Sequence, residues 1–219
     1  MMPALVAPAG DNFPAIDLPP PQLDNLASLR DAIRLRRTEH NFSSRPLPSQ
    51  TMSDLLWAAS GVNHGAPPPS GDAAAPVVAD ATASHAKEID VYVALEQGVY
   101  LYEPLRGRLA PIVPEDVRPL AAAPALSRGG DLAPVRLIYV ADADRLEQSG
   151  NGWAATDEES LKRYYLVDCG IVAANVYLFA AGAGLAAWFH DCDRVGLAKK
   201  LPLRAGRRVL FGHTVGFPA

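Results

Sequence analysis

Between Tyr164 and Leu185 the chain carries a single charged residue, Asp168. A stretch of that length and polarity either crosses a bilayer, which takes about 20 apolar residues, or lies buried in a fold or between two copies of a chain. Asp168, Asn175 and Gly170 interrupt it, and the only basic flank is Lys162 and Arg163, so it lacks the usual marks of a membrane span. Elsewhere the sequence reads as soluble, with 49% hydrophobic and 20% charged residues. The expectation is a long buried helix from about Asp157 to Ala183, with no membrane partner. A chain of 219 residues can build one domain with a sizeable core around such a helix.

Charge and cysteine usage narrow the function classes. Twenty-four acids against twenty bases give a net charge of −4, and no Lys/Arg run or basic face suggests nucleic acid. Cys169 and Cys192 are too few for a disulfide framework and stand in no CxxC pattern, which fits a reducing cytoplasm. The opening MMPALVAPAGDNFP has no basic n-region or apolar h-region, so no signal peptide is expected. His40, His64, His85, His190 and His213 show no metal-ligand spacing, and no GxSxG or Walker pattern occurs. Gly182-Ala-Gly184-Leu-Ala-Ala187 matches GxGxxA, but a dinucleotide fingerprint needs a strand before it and a helix after it. Here the glycines end a helix, where glycine serves as a C-terminal stop.

The remaining pattern is helical and strand-like without βαβ alternation. Residues 1–27, rich in Pro and Ala, read as an extended arm, and residues 28–219 as one domain. Ser28 opens a helix that should end near Arg36–Arg37, with Asp31 at capping-box spacing. A second helix is expected over Ser49–Ser60, where Met52, Leu55, Leu56 and Ala59 share one face and Gly61 follows. The prolines of Gly65–Pro76 mark a loop. Ile89–Leu95 and Val99–Tyr102 read as a hairpin, followed by a helical turn around Glu115–Leu120, a strand at Val135–Ala141 and a polar loop over 142–156. After the apolar helix come a short helix, Arg194–Leu201, capped by Asp191 or Asp193, and a closing strand, Arg208–Val215. The fold class is therefore α+β.

Chemistry concentrates in Arg36-Arg37-Thr38-Glu39-His40-Asn41-Phe42. Two guanidiniums and a hydroxyl at a helix end can grip a phosphate. By spacing alone the favoured reading is cations complementing the helix C-terminal dipole.

This segment, followed by Arg45-Pro46-Leu47 and by Asp54-Leu-Leu-Trp-Ala-Ala-Ser-Gly-Val-Asn63, resembles the opening of nitroreductase-like FMN-dependent oxidoreductases. The likeness continues in order through Ile89-Asp-Val-Tyr-Val93, Gly98-Val-Tyr-Leu-Tyr102, Val167-Asp-Cys-Gly170, Ala174-Asn-Val-Tyr-Leu178, Gly184-Leu185 and Thr214-Val-Gly-Phe-Pro218. It is most similar to the short bacterial branch that also resembles SagB-type enzymes. The resemblance implies a central antiparallel sheet and an intertwined homodimer, with one FMN at each interface and the apolar helix at the dimer core. It implies that Arg36, Arg37 and Thr38 hold the phosphate and ribityl chain. His40 falls where relatives carry Arg or Lys beside the flavin N1–O2 edge, and an imidazole there ordinarily titrates near neutrality. A second flavin segment, contributed by the partner, corresponds to Ala81-Thr-Ala-Ser-His85-Ala-Lys87, so Thr82, His85 and Lys87 are cofactor-binding candidates. His85 and Lys87 depart from the Asn and Gln of relatives. A third contact, near N5, falls in Trp188-Phe-His-Asp191, with His190 and Asp191 as candidates. The implied activity is ping-pong reduction of nitroaromatics, quinones or similar acceptors with NAD(P)H. The alternatives are a flavin-dependent oxidase or dehydrogenase of a small or peptide-derived substrate, and a non-catalytic dimeric binding protein with weak or no FMN.

Overall fold

The computed structural model describes residues 13–63, 77–78, 87–124, 133–148 and 157–219. In chain order its elements are β1 (Ile16–Asp17), α1 (Leu29–Leu35), α2 (Ser49–Ser60), β2 (Val62–Asn63), β3 (Val77–Val78), β4 (Ile89–Leu95), β5 (Gly98–Glu103), β6 (Arg108–Val113), α3 (Arg118–Ala121), β7 (Val135–Asp142), α4 (Ala143–Gln148), α5 (Glu158–Gly182), β8 (Ala186–His190), α6 (Arg194–Lys200) and β9 (Arg207–Gly216). Seven strands form one antiparallel sheet in the order β1-β6-β5-β4-β7-β9-β8, and β2 pairs with β3 in a separate ribbon. This is the expected α+β class with a central antiparallel sheet. The loop read at Gly65–Pro76 lies outside the described residues.

The sheet is covered on both faces. Leu137, Tyr139 and Ala141 of β7 join Leu55 and Leu56 of α2 and Val172, Val176 and Phe179 of α5. On the other face Ile138 and Val140 meet Val117, Leu197 and Leu201 from the α3 and α6 side. Every position of β7 is buried, Arg136 and Asp142 included, so the strand lacks the alternation of a sheet with one solvated face.

Helix α5 starts where Asp157 accepts a hydrogen bond from the Ser160 N–H at 2.9 Å, with Glu158 and Glu159 in the first turn complementing the positive helix end. It stops at Gly184, which is left-handed (φ +68), while the Leu185 N–H reaches back to the Ala180 carbonyl at 2.8 Å. The glycine of the GxGxxA match is thus a helix terminator followed by a strand. One face of α5, with Asp168, Cys169, Val172 and Val176, is fully or almost fully buried, while Leu166, Val167 and Ile171 on another are exposed. By length and composition alone this helix could span a membrane; its inner face instead packs on α2 and the sheet.

Several elements depart from the sequence expectation. Strand β6 contains Pro111, tolerated because that part of β6 pairs with β5 only and β1 reaches just Arg108 and Leu109. Strand β8 begins Ala-Ala, a poor strand signal, and is held by pairing with β9. Helix α4 lies in the stretch read as a polar loop; Leu146 buries on its inner side and Arg145 anchors it. The turn expected around Glu115 starts only at Arg118.

That arginine belongs to an ion-pair network at one end of the sheet. Arg145 contacts Asp142 at 3.1 Å and Asp90 at 2.5 Å, and Arg207 contacts Asp90 at 3.2 Å and Asp142 at 3.1 Å. Burial pushes the Asp142 carboxyl upward, but hydrogen bonds and charge from Arg145, with Arg207, outweigh it and hold Asp142 below its ordinary value. The stabilisation is present above the ordinary carboxylate range and is lost as pH falls through the lowered value. Asp142→Asn, which leaves Asp90 to face both guanidiniums alone, should lower unfolding stability by about 2 kcal/mol, read by urea denaturation at neutral pH. A change below about 0.5 kcal/mol would show that the network contributes little.

Candidate functional site

Helix α1 is capped by Ser28, whose hydroxyl accepts from the Asp31 N–H at 3.2 Å. It ends at Leu35, one turn position earlier than expected, leaving Arg36 as C-cap with its N–H on the Ala32 carbonyl at 2.9 Å. From there the chain runs along the free edge of β8. The Glu39 N–H donates to the Ala187 carbonyl at 3.0 Å, Phe42 bridges Pro218, and the Ser43 N–H donates to the Phe217 carbonyl at 2.9 Å. Phe42 buries against Ala133, Ala186 and Trp188. Residues 36–42 are thereby pinned to the sheet rather than free in a loop.

The side chains on this segment gather at one place. The Arg36 guanidinium lies 5.7 Å above the Tyr177 ring, a cation–π arrangement. Arg37 is exposed and 3.5 Å from the Glu39 carboxylate. The Thr38 hydroxyl is 3.2 Å from the Tyr177 hydroxyl, which also accepts from the Phe189 N–H at 2.8 Å. His40 stacks on Trp188 with ring centroids 4.0 Å apart. A cleft of about 170 Å³ adjoins them, lined by Arg37, Glu39, Tyr177, Gly184, Leu185 and Ala187 among others. A Cβ at Gly184 would meet nothing within 4 Å, so this wall is open. Arg36, Arg37, Thr38 and His40 are all exposed and able to receive a ligand. Tyr177 was not singled out by the sequence: on α5 it reads as one more apolar-face residue, and only the packing of α5 beneath β8 brings it to Thr38.

Beneath the site, both His190 ring nitrogens are engaged. Nδ1 lies 2.8 Å from the Asp191 carbonyl and Nε2 2.8 Å from the Thr214 hydroxyl, which accepts from Arg136 at 2.7 Å. The acceptor at Nδ1 requires that nitrogen to donate, leaving Nε2 to accept from Thr214. Asp191 accepts from the Cys192 N–H at 2.9 Å and sits 3.4 Å from Arg194. Of the two N5-side candidates, His190 therefore turns into the protein and Asp191 toward the start of α6. His213, on the other face, is fully buried, 2.9 Å from the Tyr139 hydroxyl and stacked on Tyr177 at 4.8 Å.

Burial, reinforced by His190, depresses the His213 imidazole to about 3. An unfolded histidine titrates near about 6.5, so between these values only the unfolded chain takes up the proton. Stability is intact above the unfolded value and falls as pH drops toward the folded one, by about 1.4 kcal/mol per unit. Between neutrality and about pH 5 the wild-type protein should lose about 2 kcal/mol on this account, and His213→Phe should flatten that part of the profile. Equal pH slopes in the two proteins would remove His213 as the cause.

Lys87 is not part of this cluster. It is the non-glycine residue with positive φ (+52) among those described, and its carbonyl accepts from Arg145 at 2.5 Å. It lines a cleft of about 330 Å³ with Ser60, Asp90, Tyr102 and Arg145 among others. From Trp188 the sheet steps through Thr214 and Arg136 to Ala94, three strand spacings or about 14 Å across, and then five residues along β4 to Ile89, about 17 Å. Within one chain, Lys87 and Arg36 occupy different ends of the sheet. Thr82 and His85 lie outside the described residues.

The comparisons with known proteins agree with this architecture. The sequence profile of the Nitroreductase family matches residues 33–217. A protein of Methanocaldococcus jannaschii named as a nitroreductase is 32% identical over 164 residues, covering 72% of this chain and 75% of that one. The crystal structure of a protein from Ralstonia eutropha JMP134, also named as a nitroreductase, superposes with a TM-score of 0.74 at 29% identity, over 96% of this chain and 92% of the other. A chain of the Escherichia coli microcin synthetase McbBCD complex shares the fold at a TM-score of 0.64 and 18% identity, over 84% and 70%. With the profile extending from α1 to the last strand and beyond, and the sheet and helices superposing along almost the whole length, the chain belongs to the nitroreductase family and is an oxidoreductase of the nitroreductase type.

Proposed function

We propose that the protein is an FMN-dependent NAD(P)H oxidoreductase that works as a homodimer and reduces nitroaromatics, quinones or similar conjugated acceptors. The observation that carries this reading is the Arg36–Arg37–Thr38 cluster, pinned by backbone hydrogen bonds to the edge of β8 beside an open cleft. Two cations and a hydroxyl on a fixed backbone suit a phosphomonoester, and the family generally uses flavin. Bound FMN would supply two-electron hydride chemistry between NAD(P)H and the acceptor in alternate half-reactions.

The chain's own residues then have separable roles. Arg36 and Arg37 bind the phosphate, Arg37 exchanging its contact with Glu39 for it. Thr38 donates to the phosphate or ribityl oxygens. His40, backed by the Trp188 ring, presents a cation toward the pyrimidine edge, where negative charge gathers on reduction. Lys87 serves the site of the other copy, together with Thr82 and His85. The separation of Lys87 and Arg36 within one chain supports that division. The exposed apolar side of α5 supplies the surface on which two copies meet.

The test is direct. Purified protein reconstituted with FMN should be yellow, release flavin on denaturation, and oxidise NADH or NADPH when a nitroaromatic or quinone is added. Colourless protein that FMN cannot reconstitute would instead favour the non-catalytic reading, which has one observation on its side: Glu39 places a carboxylate beside Arg37 in the cleft meant for an anion. If His40 supplies the cation, His40→Ala should slow flavin reduction by about tenfold, while His40→Arg keeps the wild-type rate. Equal rates for His40→Ala and the wild type in stopped-flow reduction would remove His40 from this role.

A further inference from the structure

We propose that Tyr177 is a positioning residue for the cofactor, its phenol tying the Thr38 hydroxyl to β8 so that the threonine proton points to the ligand. The inference rests on the flavin reading above and deepens it.

The geometry fixes one of the two hydrogen bonds at the phenol: the Phe189 N–H donates to the Tyr177 oxygen at 2.8 Å, and an N–H can only donate. The phenol keeps its own proton and a second lone pair, so either hydroxyl can donate across the 3.2 Å to Thr38. In the proposed arrangement the phenol is the donor, and its proton pairs with the Thr38 oxygen. Thr38 then accepts from Tyr177, and its own proton remains for an acceptor outside. Phosphate and ribityl oxygens are acceptors of that kind.

Tyr177 is also held rigidly enough to act as a fixed reference. It grows from the last turns of α5, a helix buried along its inner face. Its ring rests on the His213 imidazole at 4.8 Å, and that imidazole is fully buried and within hydrogen-bond distance of Tyr139. On the outer side the Arg36 guanidinium lies 5.7 Å over the same ring. One side chain thus sets the place of a hydroxyl and a guanidinium that the sequence presents as neighbours but that a loop alone would leave to wander.

A double-mutant cycle on FMN affinity, read by quenching of flavin fluorescence, separates this from a merely structural role. Tyr177→Phe keeps the ring, the His213 stack and the Arg36 contact but removes the phenol. Tyr177→Phe and Thr38→Ala should each weaken FMN by about tenfold, and the double variant by about tenfold as well, because both remove the same contact. Thr38→Ser, which keeps the hydroxyl, should bind as the wild type does when Tyr177 is present and weaken when it is Phe. Effects that multiply to about a hundredfold, or unchanged affinity in Tyr177→Phe, would overturn the proposal. Thr38 is exposed, so its variants report even if Tyr177→Phe does not fold: FMN binding by Thr38→Ala at wild-type strength would overturn it alone. Wild-type protein that binds no FMN would overturn the flavin reading and this inference together, whereas wild-type binding with multiplicative effects overturns only the positioning role.

Discussion

Replacing Arg36 and Arg37 together by alanine is expected to weaken FMN by about a thousandfold while leaving the apo protein as stable as before. Each guanidinium offers charge-assisted hydrogen bonds to a dianionic phosphate, and truncating such a contact costs about 1.5–3 kcal/mol. Single variants should therefore lose about ten- to a hundredfold. Their native-state contacts are slight: Arg36 over the Tyr177 ring and Arg37 at 3.5 Å from Glu39. Changes at exposed sites of this kind usually stay within about 0.5 kcal/mol. The contrast between a large loss of affinity and an unmoved Tm is what a binding role predicts. The alternative raised by their position after α1 is that they only complement the helix dipole. That would produce the reverse, a small loss of stability with FMN binding unchanged.

The second large effect concerns the outer face of α5. Leu166, Val167 and Ile171 are exposed there, and Leu29 and Ile33 are exposed on α1, which packs against the same helix. Water is a poor neighbour for exposed apolar side chains, and large patches of them mark association surfaces. A second copy would cover them. Val167→Asp with Ile171→Asp would bury uncompensated carboxylates on both sides of that contact, at several kcal/mol each. The expected result in light-scattering chromatography is a fall from twice 23.3 kDa to 23.3 kDa. FMN should be lost with it if, as proposed, Lys87 helps to complete the partner's site. Variants that stay dimeric would place the interface elsewhere.

Much of the scaffold was legible because its elements carry their own periodicity. Helix α2 was bounded correctly from Met52, Leu55, Leu56 and Ala59 with Gly61 as its stop, and β4 from a short run in which Asp90 is the one charged position. What escaped has a common cause: β6, β8 and α4 take their conformation from neighbours. Pro111 survives in β6 through an open flank, Ala186 and Ala187 are strand residues because β9 pairs with them, and α4 is held by the Asp90–Arg145–Asp142 contacts. The site divides in the same way. Arg36, Arg37 and Thr38 are adjacent in sequence and stand together beside the cleft, but it was the resemblance that singled them out, since spacing alone favoured the helix-dipole reading. Tyr177 joins them across the fold, and nothing in its local sequence marks it. His190 was a reasonable candidate by position; Thr214, the Asp191 carbonyl and the edge-on Trp188 ring surround its imidazole. That outcome depends on β9 lying beside β8.

Native mass spectrometry of protein reconstituted with FMN tests the central claim most directly. Two chains carrying two FMN molecules, with no flavin on a single chain, is the expected result. A lone chain that retains FMN, or a dimer that takes up none, would contradict a cofactor site completed by two copies of this polypeptide.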